Sequence, residues 1–247
     1  MKQLEICCDS VQSAMAAQAG GATRIELCSN LLEGGTTPSS GLLGMVRQQL
    51  HIPIHVLVRP RGGDFCYDQL ELEVMRRDIS AAKALGADGI VLGLLRPDGS
   101  IDSGAARELI ELARPLKITW HRAFDMATDP LSALEEVIAL GADILLTSGQ
   151  QPTALAGKEL ITKLHRQSAG RINLMPGGGV NADNLLELAL STGCRQFHSS
   201  ARRQYPGRMQ FQRVGLHMGG WKQGEFCYSR VDESKVRRMV EQLAALP

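Results

Sequence analysis

The chain has 247 residues, 44% hydrophobic and 21% charged, with 27 basic against 26 acidic side chains for a formal net charge of +1. That composition supplies one sizeable globular core. The charge balance leaves no field that would draw the protein to nucleic acid or to an anionic membrane, so neither is expected as a partner. The start, MKQLEICCDS, has no apolar run of signal-peptide length, and no segment approaches 18 uninterrupted apolar residues, so a cytoplasmic location is expected. There the six cysteines (Cys7, Cys8, Cys28, Cys66, Cys194, Cys227) should be reduced thiols. Without a CxxC pair or a Cys/His cluster, structural zinc is disfavoured.

In chain order, short apolar runs alternate with helical patterns. LEICC (4–8) is followed by SVQSAMAAQA (10–19), and RIEL closes the junction GGATRIEL (20–27). IHVLVRP (54–60), LELEVMRRDISAAKAL (70–85) and the junction LGADGIVL (85–92) come next. AARELIELA (105–113), ITWHRA (118–123), PLSALEEVIAL (130–140) and LGADILLT (140–147) continue the pattern, and INLMPG (172–177), ADNLLELAL (182–190) and TGCRQFHS (192–199) complete it. At each junction a helix ends at a glycine able to take the left-handed cap, and a strand begins shortly after. Strict alternation argues a parallel sheet with helical crossovers. Eight such units in about 250 residues match a single-domain TIM-like (β/α)8 barrel over 1–247. A doubly wound open sheet is the alternative, but it would be long at eight strands and lacks GxGxxG after the first. Residues 203–233 show no clear periodicity before a final helix from Ser234 to Leu246, and are expected to be an irregular lid or subunit-contact segment.

Alternation along the strands places Leu4, Ile6, Ile25, Leu27, Ile54, Val56, Ile118 and Trp120 toward the helices. The opposite parity carries Glu5, Cys7, Glu26, Cys28, His55, Arg59, Thr119, His121 and His198, which in a closed barrel point inward. Buried charges need partners or a mouth, so this interior does more than pack. Glu5, in mid-strand, is expected to be a structural partner of His55 or Arg59.

Barrel sites lie at the C-terminal ends of strands. There PGGGV brings Gly177, Gly178 and Gly179 before a helix, a pattern whose backbone N–H groups suit an anion, or else a turn whose glycines only permit tight packing. His198, Ser199, Ser200 and Arg202 after the eighth strand, with Arg59 and Arg61 after the third, are further candidate ligand-binding residues. For the two arginines the competing reading is an ion pair with Glu26 or Asp64. His121, Arg122 and Asp125 form another group; His121 and Glu26 are the candidates for acid–base work, against a structural bond between them. No lysine ends a strand, which disfavours Schiff-base chemistry. Cys7 and Cys28 share the inward parity on neighbouring strands and could hold a cuprous ion, or simply pack as small hydrophobes.

RIELCSNLLEGGTTPS, RPRGGDF, ADGIVLGLL, HRAFDM, LLTSG, MPGGGV and FHSSAR, in this order, closely resemble the hallmark segments of the CutC family. The resemblance spans residues 4–202. It implies a cytoplasmic TIM-like barrel, a homodimer, and a part in copper homeostasis with copper bound through cysteines, Cys28 being the one in a typical position. It carries no established reaction, so no enzymatic activity is assigned. Copper ion and a small anionic (phosphorylated or carboxylate) molecule at the mouth stand as alternative partners, with a non-catalytic scaffold third.

Overall fold

The computed structural model describes residues 2–211, 213, 215, 216 and 226–246. Eight parallel strands form the sheet: β1 (Gln3–Cys8), β2 (Arg24–Leu27), β3 (Ile54–Leu57), β4 (Gly89–Leu92), β5 (Lys117–Trp120), β6 (Ile144–Thr147), β7 (Asn173–Pro176) and β8 (Gln196–Ser199). Helices α1 (Val11–Ala19), α2 (Ser40–Gln49), α3 (Gln69–Ala84), α4 (Ser103–Ala113), α5 (Pro130–Ala139), α6 (Lys158–Ser168) and α7 (Leu185–Thr192) join them, and α8 (Glu233–Ala245) follows. The strand order β7-β6-β5-β4-β3-β2-β1-β8 is that of a TIM-like barrel. The end strands β7 and β8 lie against each other, a Cβ on Gly177 standing 3.2 Å from that of His198, so the ring is nearly closed.

The two parities of the strands separate as the alternation predicts. Leu4, Ile6, Ile25, Leu27, Ile54, Ile90, Leu92 and Trp120 are buried in the annulus between sheet and helices. Burying each such side chain contributes about 1.5–3 kcal/mol. Ser10, Ser39, Asp102 and Asp129 cap helices with their side chains, and Asp68 with Glu71 forms a full capping box on α3.

The inner parity is polar and knit. The fully buried Glu5 carboxylate receives the Arg24 guanidinium and, at 2.7 Å, His198 Nδ1. His55 Nδ1 lies 3.9 Å from Glu5 and 3.2 Å from the Thr119 hydroxyl. Arg24, not Arg59, is therefore the main partner of Glu5, because the Glu5↔Arg24 register puts the two charges side by side. Room for this layer comes from β4, where a Cβ on Gly89 would meet the His55 ring at 2.5 Å.

The stretch without sequence periodicity contains paired strands. β9 (Arg202–Pro206) and β10 (Cys227–Val231) form an antiparallel ladder, with Tyr205 and Tyr228 stacked at 5.9 Å and the Arg230 guanidinium 4.1 Å over the Tyr205 ring. The expected irregular segment is thus ordered at both arms; residues 217–225 lie outside the described residues.

Removing one member of a buried ion pair leaves the other charge uncompensated. Arg24→Met should lower the unfolding free energy by about 3–5 kcal/mol, measured by urea denaturation at pH 7.

Candidate functional site

At the C-terminal ends of the strands lies a cavity of about 440 Å³. Its walls come from nearly every part of the ring: Cys7 from β1, Glu26 from β2, Arg59 beyond β3, His121 and Arg122 beyond β5, Gly178, Gly179 and Val180 beyond β7, and His198, Ser199 and Ser200 at β8. This volume suits a small organic ligand. A cleft of about 510 Å³ at the opposite end of the strands, between β1 and α8, is lined without any carboxylate, imidazole or thiol.

At the cavity floor, Cys7 Sγ lies 3.5 Å from Cys28 Sγ and 3.6 Å from Glu26 Oε1. One donor atom each from Cys7, Glu26 and His198 lie within 4.8 Å of one another, a set of metal-ligating type. The bond to Cys28 and then burial push the Cys7 thiol well above its ordinary range. Burial likewise raises the Glu26 carboxyl. Burial opposes charge on His198, yet Glu26, Cys7 and Glu5 together carry it well above the ordinary value and keep it an imidazolium. Burial raises the Glu5 carboxyl, but Arg24 and His198 outweigh that and hold it far below the usual carboxylate range.

His121 is built differently. It ends β5 and caps the 3-10 turn Arg122–Met126, its Nδ1 accepting from the Ala123 N–H at 3.1 Å. The proton therefore resides on Nε2, which has no partner in its buried position. Burial first, and the Arg59 charge next, depress His121 to about 3. It is thereby held neutral, with Nε2–H as an unused donor. Gly93 makes this rotamer accessible: a Cβ there would strike Nδ1 at 2.5 Å.

Glu26 Oε2 and Arg59 Nε are also buried without partners. Arg59 pairs with neither Glu26 nor Asp64; its terminal nitrogens donate to the carbonyls of Glu33, Gly35 and Gly63. Asp125 accepts from Thr147, Ser148 and Gln150 and anchors Arg122 Nε at 2.7 Å, while Arg122 Nη2 donates to Ser148 Oγ.

Three expected residues do not reach the cavity. Arg61 turns outward to Glu71 and Asp64 and stacks over Tyr67, since its own loop and the first turn of α3 supply carboxylates. Arg202 is held by Asp9 and Ser229 at the base of the β9–β10 arm. Gly177 stands in the barrel wall, where a Cβ would strike Leu146 at 2.4 Å. Glu26, His121, Arg59, Gly178, Gly179, His198, Ser199, Ser200 and Cys7 do converge, with Cys28 against Cys7. Phe65 went unmarked in the sequence; its ring packs 5.2 Å from His121 and 5.1 Å under the Arg59 guanidinium. Its place in RPRGGDF, just past a strand end, is the signal that could have found it.

The CutC family matches residues 2–203. The chain belongs to the CutC family. A CutC-family protein of Chromobacterium violaceum is 48% identical over 242 residues, covering 98% of each chain. The human copper homeostasis protein cutC homolog is 48% identical over 237 residues, 96% of this chain and 87% of that one. The crystal structure of CutC from Streptococcus agalactiae superposes with a TM-score of 0.78 at 34% identity, covering 81% of this chain and 99% of that one.

Two buried histidines stay neutral in the fold, His55 depressed to about 4 chiefly by burial and His121 to about 3. Unfolding releases both to the ordinary value near 6.5, so between pH 6 and 5 these two side chains bind up to about two more protons in the unfolded chain than in the fold. The raised Glu26 carboxyl works in the opposite sense. Stability should fall with pH there by up to about 1.4 kcal/mol per unit for each histidine. Urea denaturation across this window checks it, and His121→Phe should remove one proton from the slope.

Proposed function

We propose that the protein takes part in copper homeostasis, the role in the names of its mammalian relatives, by holding a cuprous ion between Cys7 and Cys28. The observation that carries this reading is the 3.5 Å separation of the two sulfurs at the cavity floor, with Glu26 and His198 beside Cys7. Soft thiolates select cuprous over harder ions, and a buried pair excludes water from it. The six cysteines form no disulfide among the described residues, which fits a reducing cytoplasm. No helix among those residues is long and apolar enough to cross a membrane. Met209, Phe211 and Leu216 stay exposed beyond the β9–β10 arm, which supports assigning 203–233 to contact between two subunits rather than to a lid.

A second reading has its own observation. Three buried polar atoms without partners, Glu26 Oε2, Arg59 Nε and His121 Nε2, belong to residues lining one ligand-sized cavity. Such groups are costly unless something pairs with them. This reading gives the mouth a small anionic molecule, with the Gly178–Gly179 loop as its anion seat.

Titrating cuprous ion into the reduced protein against a competing chelator tests the first reading: stoichiometric binding is expected, lost in Cys28→Ser. Copper remaining on the chelator overturns it. For the second, phosphate at about ten times its Kd should raise Tm by roughly 3–6 °C. Gly178→Val should abolish that rise, since φ is +96° there and a side chain would press on Ser148 and Arg122.

A further inference from the structure

Arg59 is only 5% exposed, yet among the described residues its guanidinium donates to three carbonyl oxygens and forms no ion pair with a carboxylate. A buried cation without a counter-ion is expensive, because carbonyl dipoles solvate it but do not neutralise it. Its Nε–H has no acceptor. His121, 6% exposed, offers a second N–H, Nε2, with none either. The Phe65 ring packs against both side chains, and all three residues line the cavity.

We infer that this end of the cavity is a carboxylate seat, one oxygen taken by Arg59 Nε and the other by His121 Nε2, and that the ligand is a small hydroxycarboxylic acid. The assignment rests on the second reading above and sharpens it. Two N–H donors and one positive charge match the two oxygens and single charge of a carboxylate. A phosphate would bring a further oxygen and more charge than one guanidinium balances. Glu26 Oε2, the third unpartnered atom, is an acceptor and takes a hydroxyl of the same ligand. His121 stays neutral throughout the physiological range, so it donates without competing for the proton of the acid.

The glycine loop remains for a second anionic group. Among the described residues the N–H groups of Gly178, Gly179 and Val180 have no backbone acceptor. Arg122, held by Asp125 and Ser148 through Nε and Nη2, rests its guanidinium over Gly178, 3.4 Å from where a Cβ would lie. Successive N–H groups beside a fixed guanidinium suit the several oxygens of a phosphate. A phosphorylated hydroxy acid would use both seats.

Calorimetric titration of the full chain with glycolate, glycolamide and inorganic phosphate tests the assignment. Glycolate should bind at millimolar concentrations and glycolamide, which keeps the size but not the charge, should not. His121→Phe should weaken glycolate at least about tenfold, the loss of one charge-assisted hydrogen bond, and leave phosphate unchanged. Gly178→Val should abolish phosphate binding and leave glycolate unchanged. Phosphoglycolate should bind more tightly than either fragment. In nitrogen-15 spectra of histidine-labelled wild type, the His121 Nε2–H signal should move on adding glycolate, a readout that stands even where His121→Phe fails to fold. Phosphate binding through Gly178 with no glycolate binding, or glycolate binding that neither His121→Phe nor the Nε2–H signal registers, overturns the carboxylate seat and leaves the anion reading standing. Absence of binding by every probe overturns both.

Discussion

A single buried carboxylate holds the inside of this barrel together. Glu5 is completely enclosed, and an isolated carboxylate there would either be protonated or unfold the strand that carries it. Arg24 and His198 prevent both outcomes by meeting it from the strands on either side of β1. The three residues stitch β2, β1 and β8 together across the barrel interior at the level where apolar layers fill an ordinary barrel. Such a pair adds little net stability compared with a well-packed apolar core, but its partners cannot be removed singly. What it adds is placement. Once Glu5 fixes Nδ1 of His198, the other face of that imidazole is turned toward Cys7 and Glu26 at the cavity floor.

The mouth inherits this geometry. Each inner layer is relieved by a residue without a side chain: Gly89 admits the His55 ring, Gly93 the His121 ring, and Gly177 both Leu146 and His198. Large polar groups on alternate strands are thus accommodated by missing ones on their neighbours. The outcome at the top is a cavity whose polar atoms are incompletely satisfied, in contrast to the layer beneath it. Asp125 shows that the fold can saturate a carboxylate when it needs one for structure, since hydroxyls, backbone N–H groups and a guanidinium all converge on it. Glu26 Oε2, Arg59 Nε and His121 Nε2, by contrast, are buried without a partner, and the anion reading draws on that difference.

Much of this was legible in the sequence. Four strands follow from glycine-ended helices leading into apolar runs and the other four from short apolar or β-branched runs in the gaps, and the inward set follows from counting by two, because a parallel barrel gives every strand the same two-sided environment. The helices Ser40–Gln49 and Lys158–Ser168 escape a reading by pattern for different reasons. The first carries Gly41 and Gly44, which weaken the helical signal; the second presents its buried Ile161 and Leu164 within a mostly polar stretch. The β9–β10 ladder was not legible, since its residues are largely exposed and are held by Tyr205–Tyr228 stacking and cross-strand contacts. Nor does parity say which loop arginine faces inward. Arg59 and Arg61 have the same parity, and only the carboxylates of Asp64 and Glu71 on the outer side of the loop draw Arg61 away.

The residues singled out as metal, acid–base and anion candidates turn out to be neighbours rather than rivals. Cys7, Glu26 and His198 lie on three adjacent strands with donor atoms within 4.8 Å of one another, so a soft ion on the thiols and an organic acid on Arg59 and His121 would share a single cavity. The two ligands would then not be independent. An ion on Cys7 displaces its thiol proton and draws on the same Glu26 and His198 charges that the cavity presents to an anion. By reciprocity, whatever the ion does to the affinity for the acid, the acid must do to the affinity for the ion. On the two proposed readings, metal and anion would be coupled through Cys7, Glu26 and His198, the last of these held by the buried Glu5.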